Sequence, residues 1–199
     1  MSKHIETTLT TFDDFVTANS TSKITRVKAA KDFLNDPTPF QVRSFYNPLK
    51  RGLIEAFEAG GAPADIRAAA AAASAPRARH YEECAAGAVR WRGRKALVWA
   101  DVRPTTWSHG DLTVKVNPEL GLEIDGVPYV IKLYFKEPAL TKRKCEVPLH
   151  LLDLCYPDAR VGVLALRRGK LHVPTRLVAG IDALLQGEAA SFVTMWNAL

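Results

Sequence analysis

Cysteine is scarce in this chain of 199 residues, and the few present are badly placed for shared chemistry. Cys84, Cys145 and Cys155 are widely spaced, and Cys145 and Cys155, ten apart, lack a CxxC or Cys-His partner pattern, which argues against a structural zinc site. So few thiols in a chain long enough to bury a sizeable core fit a reducing compartment. No apolar run approaches the roughly 18 residues of a membrane span. The opening stretch "MSKHIETTLTTFDDF" has no apolar centre of signal-peptide type, so the expectation is a cytoplasmic protein without a membrane partner. GxSxG, the Walker-type loop, GxGxxG and HExxH are all missing, which removes the common signatures of hydrolases, nucleotide-binding proteins and metalloproteases. Repeats are absent too. The histidines offer little: His109 and Asp111 sit in "SHGD", whose composition is that of a turn, and His150 falls in an apolar helical stretch.

What is present is ordinary for a globular protein, 47% hydrophobic and 24% charged residues, apart from a basic balance. The net charge of +6 and a pI near 9.3 favour polyanionic partners through long-range attraction.

Periodicity divides the chain near residue 75. Residues 1–75 read as a helical extension. Thr11 is a candidate cap with Asp14 three residues on, and Ile24, Val27, Ala30 and Leu34 form a stripe. "PFQVRSFY" leads into Asn47-Pro48, a helix start, and Leu49, Leu53, Ala56 and Phe57 share a face ahead of Gly60-Gly61. The alanine-rich "PADIRAAAAAAS" has high helix propensity and little bulk to pack, which predicts a spacer or outer helix.

Residues 76–199 read differently. A helix aligning Tyr81, Cys84, Ala85, Ala88 and Trp91 precedes the strand candidate "ALVWADV"; "WSHGD" then reads as a turn and "LTVKVN" as a strand of period two. "LEID" and "PYVIKLYF" flank Asp125-Gly126, a favoured hairpin turn. A helix containing Pro148, the buried strand "RVGVLAL", the turn "RRGK" with "LHVP" after it, and a strongly amphipathic C-terminal helix follow. Strands that cluster between helices indicate an α+β class, a mixed and mainly antiparallel sheet flanked by helices.

The stretch "NPELGLEIDGVPYVIKLYFK", with the helix–meander–helix–strand order around it, resembles the PD-(D/E)XK nuclease-like superfamily over about residues 78–175. The resemblance implies a restriction-endonuclease-like core. In that family two acids hold divalent ions and a lysine helps to position the attacking water, and acid-x-lysine on a strand aims both groups into one cleft. Pro118-Glu119 resembles the family's Pro-acid pair. Lys132, however, takes the place of the second acid and Tyr134 that of the lysine, with Lys136 one alternation further on. The implied catalytic set is Glu83, Glu119, Lys132 and Lys136, with Glu83 (or its neighbour Glu82) and Glu119 as ligands for Mg²⁺ or Mn²⁺ if the site is catalytic. A charged lysine in place of an acid repels a divalent cation, so the preferred reading is a disarmed core.

In that reading Lys132, Tyr134, Lys136, Lys142, Arg143 and Lys144 bind the phosphates of DNA or RNA, the aromatic ring adding a stacking surface. Two readings stand beside it: an active nuclease with a displaced lysine, and a protein-interaction or homo-oligomeric module docking through the C-terminal helix. The plainest reading of the strand itself is that Lys132, Tyr134 and Lys136 form a solvated face, with Ile131, Leu133 and Phe135 in the core.

Overall fold

The computed structural model describes residues 4–36, 45–71, 73–137, 140–174 and 179–199. The protein is α+β, and its strands form two sheets rather than the single sheet expected. The smaller has the order β1 (Ile5–Thr8), β4 (Leu112–Val116), β3 (Thr105–His109). The larger has the order β2 (Leu97–Trp99), β5 (Leu120–Ile124), β6 (Val127–Tyr134), β7 (Arg160–Ala165), β8 (Lys170–His172). In the larger sheet β2, β5 and β6 run antiparallel in succession, β7 lies parallel to β6, and β8 returns antiparallel.

The β5–β6 hairpin forms where its sequence demands. Asp125 and Gly126 both have positive φ, 51° and 82°, the geometry of the two-residue turn that matches strand twist. The Asp125 carboxylate also accepts from the Ala96 N–H, tying the turn to the start of β2.

Seven helices are described: α1 (Leu9–Val16), α2 (Ser20–Asn35), α3 (Asn47–Glu58), α4 (Pro63–Ala71), α5 (Ala75–Arg92), α6 (Lys142–Cys155) and α7 (Ile181–Ala198). They pack on the sheets in two apolar clusters. One joins Ile5, Phe12, Phe15 and Val27 to Leu112 and Val114 of β4, Leu151 of α6 and Phe192 of α7. The other joins Leu53, Phe57 and Ile66 to Tyr81 and Trp91 of α5 and to Leu120, Ile131 and Leu133 of the larger sheet. Each cluster draws on residues from both sides of position 75.

Several local expectations need correction. Residues 5–8 form a strand rather than helix: Ile5 and Thr7 alternate inward and the segment pairs in parallel with β4, a long-range partner invisible to local periodicity. The cap of α1 is consequently Thr8, whose hydroxyl accepts from the Thr11 N–H. "WSHGD" is mostly strand; the turn lies at Gly110-Asp111 and Thr105–His109 pairs with β4. On α2 only Val27 and Ala30 are buried, while Ile24 and Leu34 are half exposed. The alanine-rich helix α4 is no spacer. Ile66 and Ala70 are buried, and a Cβ placed on Gly52 of α3 would lie 2.9 Å from the Ala69 Cβ, so small residues let these helices approach closely. Residues 37–44, covering most of "PFQVRSFY", lie outside the described residues.

Candidate functional site

A cleft of about 770 Å³ opens between α1, α2 and the start of α3 on one side and β4 and β6 on the other. Its charged lining is Glu6, Asp13, Asp14, Arg26, Lys50, Lys115, Glu119, Lys132 and Lys136, with Tyr46, Tyr134 and Phe135 among its aromatic groups. The topology builds this set from distant segments. Strand β6 lies in the middle of the larger sheet, and its residues 130–133 are all buried. Ile131 and Leu133 point to the cluster under α5, so Lys132 and Tyr134 must point the other way, towards α1 and α2.

The solvated face expected for β6 is therefore wrong at Lys132, which is 9% exposed and forms a buried ion pair. Its Nζ donates to Glu119 Oε1 at 2.6 Å. The other oxygen of Glu119 accepts from the backbone N–H of Leu133 at 2.8 Å. Strand β5 begins only at Leu120, so the carboxylate supplies an acceptor to β6 just beyond the strand's end. Lys50 Nζ lies 3.9 Å from the same carboxylate. Both oxygens of Glu119 are thus engaged by the protein's own donors. A divalent cation there would have to displace an ammonium group and a backbone N–H, and the residues present do not fit that ion.

Lys136 pairs with Asp14 of α1. The neighbouring Asp13 is the most perturbed acid: burial pushes its carboxyl up to about 7, the charge of Asp14 adds to that, and Lys136, Lys132 and Lys144 oppose it. Three of the lysines singled out in the sequence therefore converge electrostatically on one acid that sequence reasoning did not select. Asp13 Oδ1 is itself fully buried, although the residue as a whole is partly exposed, and it has no hydrogen-bond partner. The same holds for Asn117 Oδ1, on another residue lining the cleft. Tyr134 stays phenolic, its pKa raised by burial and then by Asp13 and Asp14.

Glu83 belongs to a different environment. It accepts from Arg79 and from Arg167, and the Arg79 hydrogen bond, with Arg167 also contributing, holds its carboxyl below the usual range. Glu83 is not among the residues lining the cleft, so the structure does not bring it together with Glu119, Lys132 and Lys136 there. Lys142 and Lys144 lie exposed in the first turn of α6, which Thr141 caps by accepting from the Lys144 N–H; the side chain of Arg143 lies outside the described residues. Among the described residues no cluster of three or more His, Cys, Asp or Glu side chains is arranged to hold a metal ion. His109 stacks on Trp107, and His150 pairs with Asp182 at the start of α7. Burial holds Cys84 and Cys145 in the thiol form, at about 11 and about 12. No described helix is long and apolar enough to cross a membrane.

What sequence reasoning missed, Asp13, Asp14, Lys50 and Asn117, comes from segments far from β6. "TTFDDF" offers two adjacent acids; with Leu9, Phe12 and Phe15 facing the core, helical spacing puts Asp13 at the edge of the buried face and Asp14 further round. Comparison with protein-family models, with curated proteins and with solved structures returns no match to this chain.

Proposed function

We propose that the protein binds nucleic acid through this cleft without cutting it, on a nuclease-like core whose metal position is filled by an internal ion pair. The observation that carries the reading is Glu119. The acid that should receive a divalent cation instead holds Lys132 and the Leu133 N–H, inside a cleft that also presents Arg26, Lys50, Lys115 and Lys136.

The chain order supports the same reading. Helix α5 is followed by the antiparallel series β2, β5, β6, with the β3–β4 hairpin inserted after β2; then α6 crosses to β7, parallel to β6. This order resembles the layout of the PD-(D/E)XK superfamily, with Pro118-Glu119 leading into β5 and the Asp125-Gly126 hairpin leading into β6. Lysines are suited to phosphate because each ammonium has three donors and can serve a carboxylate and a phosphate oxygen together. The interaction-module reading is less well supported. Phe192, Met195 and Trp196 of α7 pack on the protein's own core, and Lys31 of α2 sits over the Trp196 ring.

The test is fluorescence anisotropy with labelled short oligonucleotides over a salt series. Binding should weaken steeply with salt, by roughly one power of salt concentration per phosphate contacted, and Lys115→Glu and Lys136→Glu should each weaken it. Binding that is absent, or indifferent to salt and to both substitutions, would remove the reading. Cleavage in Mg²⁺ or Mn²⁺ that disappears in Glu119→Gln would replace it by catalysis.

A further inference from the structure

We propose that the cleft holds one unit of a single-stranded ribonucleic acid, its phosphate on Lys136 and Lys50 and its 2′-hydroxyl donating to the Asp13 carboxylate. This deepens the preceding reading and rests on it.

The first ground is the pair of orphaned acceptors. Asp13 Oδ1 and Asn117 Oδ1 are buried without a donor, although both residues line the cleft. Buried polar atoms are rarely left in that condition, because each costs the solvation it has lost. A phosphodiester brings only acceptors and would leave both atoms as they are. A ligand that completes them carries hydrogen-bond donors as well as negative charge.

The second ground is position. The lysine charges acting on Asp13 include those of Lys136 and Lys132, and Lys136 is also joined to the next residue, Asp14. The donor group of the ligand therefore lies beside its phosphate. In a polynucleotide the donor nearest the phosphodiester is the 2′-hydroxyl of ribose; the donors on the base edges stand further off. DNA has no such group, and this hydroxyl is the feature by which a protein distinguishes the two polymers. Thr8, Thr11, Thr106 and Thr113 also line the cleft, hydroxyl-bearing residues of a chemistry suited to sugar and phosphate oxygens.

The third ground is size and wall composition. A space of about 770 Å³ suits one or two nucleotides and is far too small for a duplex. Its α2 wall presents Ala29, Ala30 and the partly exposed Phe33, an apolar surface of the kind on which an unpaired base rests.

The test compares labelled oligonucleotides of one sequence as RNA, DNA and 2′-O-methyl RNA at about pH 8, where the Asp13 carboxyl is ionised. RNA should bind about tenfold more tightly than either of the others, the loss expected for one hydrogen bond to a charged group. Asp13→Asn should erase most of that preference. Because the comparison among ligands uses the unaltered protein, it stands even if the variant folds poorly. Equal binding of the three oligonucleotides, or a preference that survives in Asp13→Asn, overturns the inference and leaves nucleic-acid binding intact. Failure of all three to bind overturns both.

Discussion

The two sides of the larger sheet handle the same chemical groups in opposite ways. On the α5 side Arg167 donates to Glu83, to the Phe135 carbonyl, to the Tyr46 hydroxyl and to His80 Nδ1. Tyr46, which with Phe135 also lines the cleft, stacks on Phe135 and on Tyr81, whose hydroxyl donates to the Phe45 carbonyl. In that network Arg167 spends its donors within the protein and closes over a contact where helix and turn backbones nearly touch, although Trp91 Nε1 of α5 has no acceptor. On the cleft side carboxylates and ammonium groups also meet, but Asp13 and Asn117 keep acceptors with no donor. A completed network rigidifies a fold, whereas buried acceptors without donors call for a partner, which the proposed ligand would supply.

The largest effect expected from breaking this contrast is at Gly87 of α5. A Cβ there would lie 1.5 Å from the Leu166 carbonyl oxygen, a backbone atom that no rotamer change can move. Gly87→Ala should cost more than about 3 kcal/mol in urea denaturation, the upper end of overpacking penalties, because α5 must separate from the turn after β7. A loss below about 1 kcal/mol would mean that the two backbones are not held this closely.

Next comes Glu119. Glu119→Gln should cost roughly 3 kcal/mol, since it strands a buried ammonium, while Glu119→Leu combined with Lys132→Met should recover most of that loss. A double variant no more stable than the single one would show that the Leu133 N–H matters more than the charge. Arg167→Ala should cost roughly 2 kcal/mol through its abandoned acceptors and leave oligonucleotide affinity unaltered, whereas Lys136→Glu should do the reverse.

A separate effect depends on pH. Asp13 ionises near 7 in the folded protein against 3.8 for the ordinary carboxyl. Between those values the folded state keeps a proton that the unfolded chain has released, so stability falls as pH rises through this window and levels off above about 7. Asp13→Asn should match the wild type near pH 4 and be the more stable protein near pH 8, by up to about 4 kcal/mol, the full linkage of a carboxyl moved from 3.8 to about 7. A difference already complete at low pH would contradict the assignment.

Much of this architecture was legible locally. The hairpin at Asp125-Gly126, the amphipathic α7 and the buried β7 follow from turn chemistry and period, and Lys132, Lys136 and Glu119 were selected and do line one cleft. The remainder depends on long-range pairing that periodicity cannot express. A four-residue strand at Ile5–Thr8 is too short to signal itself, yet its pairing with β4 carries α1 and places Asp13 opposite β6. Glu83 was attractive because a glutamate on the preceding helix suits the family's chemistry, and nothing near it in sequence announced that Arg167 would claim it.

The claim on which the rest depends is that the cleft, and not the opposite face, receives the polymer. Amide hydrogen exchange with and without a short single-stranded oligonucleotide measures this directly. Protection concentrated in residues 8–17, 26–34 and 130–136, with residues 79–92 and 165–169 unaffected, is the predicted result; protection confined to α5 and the turn after β7, or to α7, would contradict it.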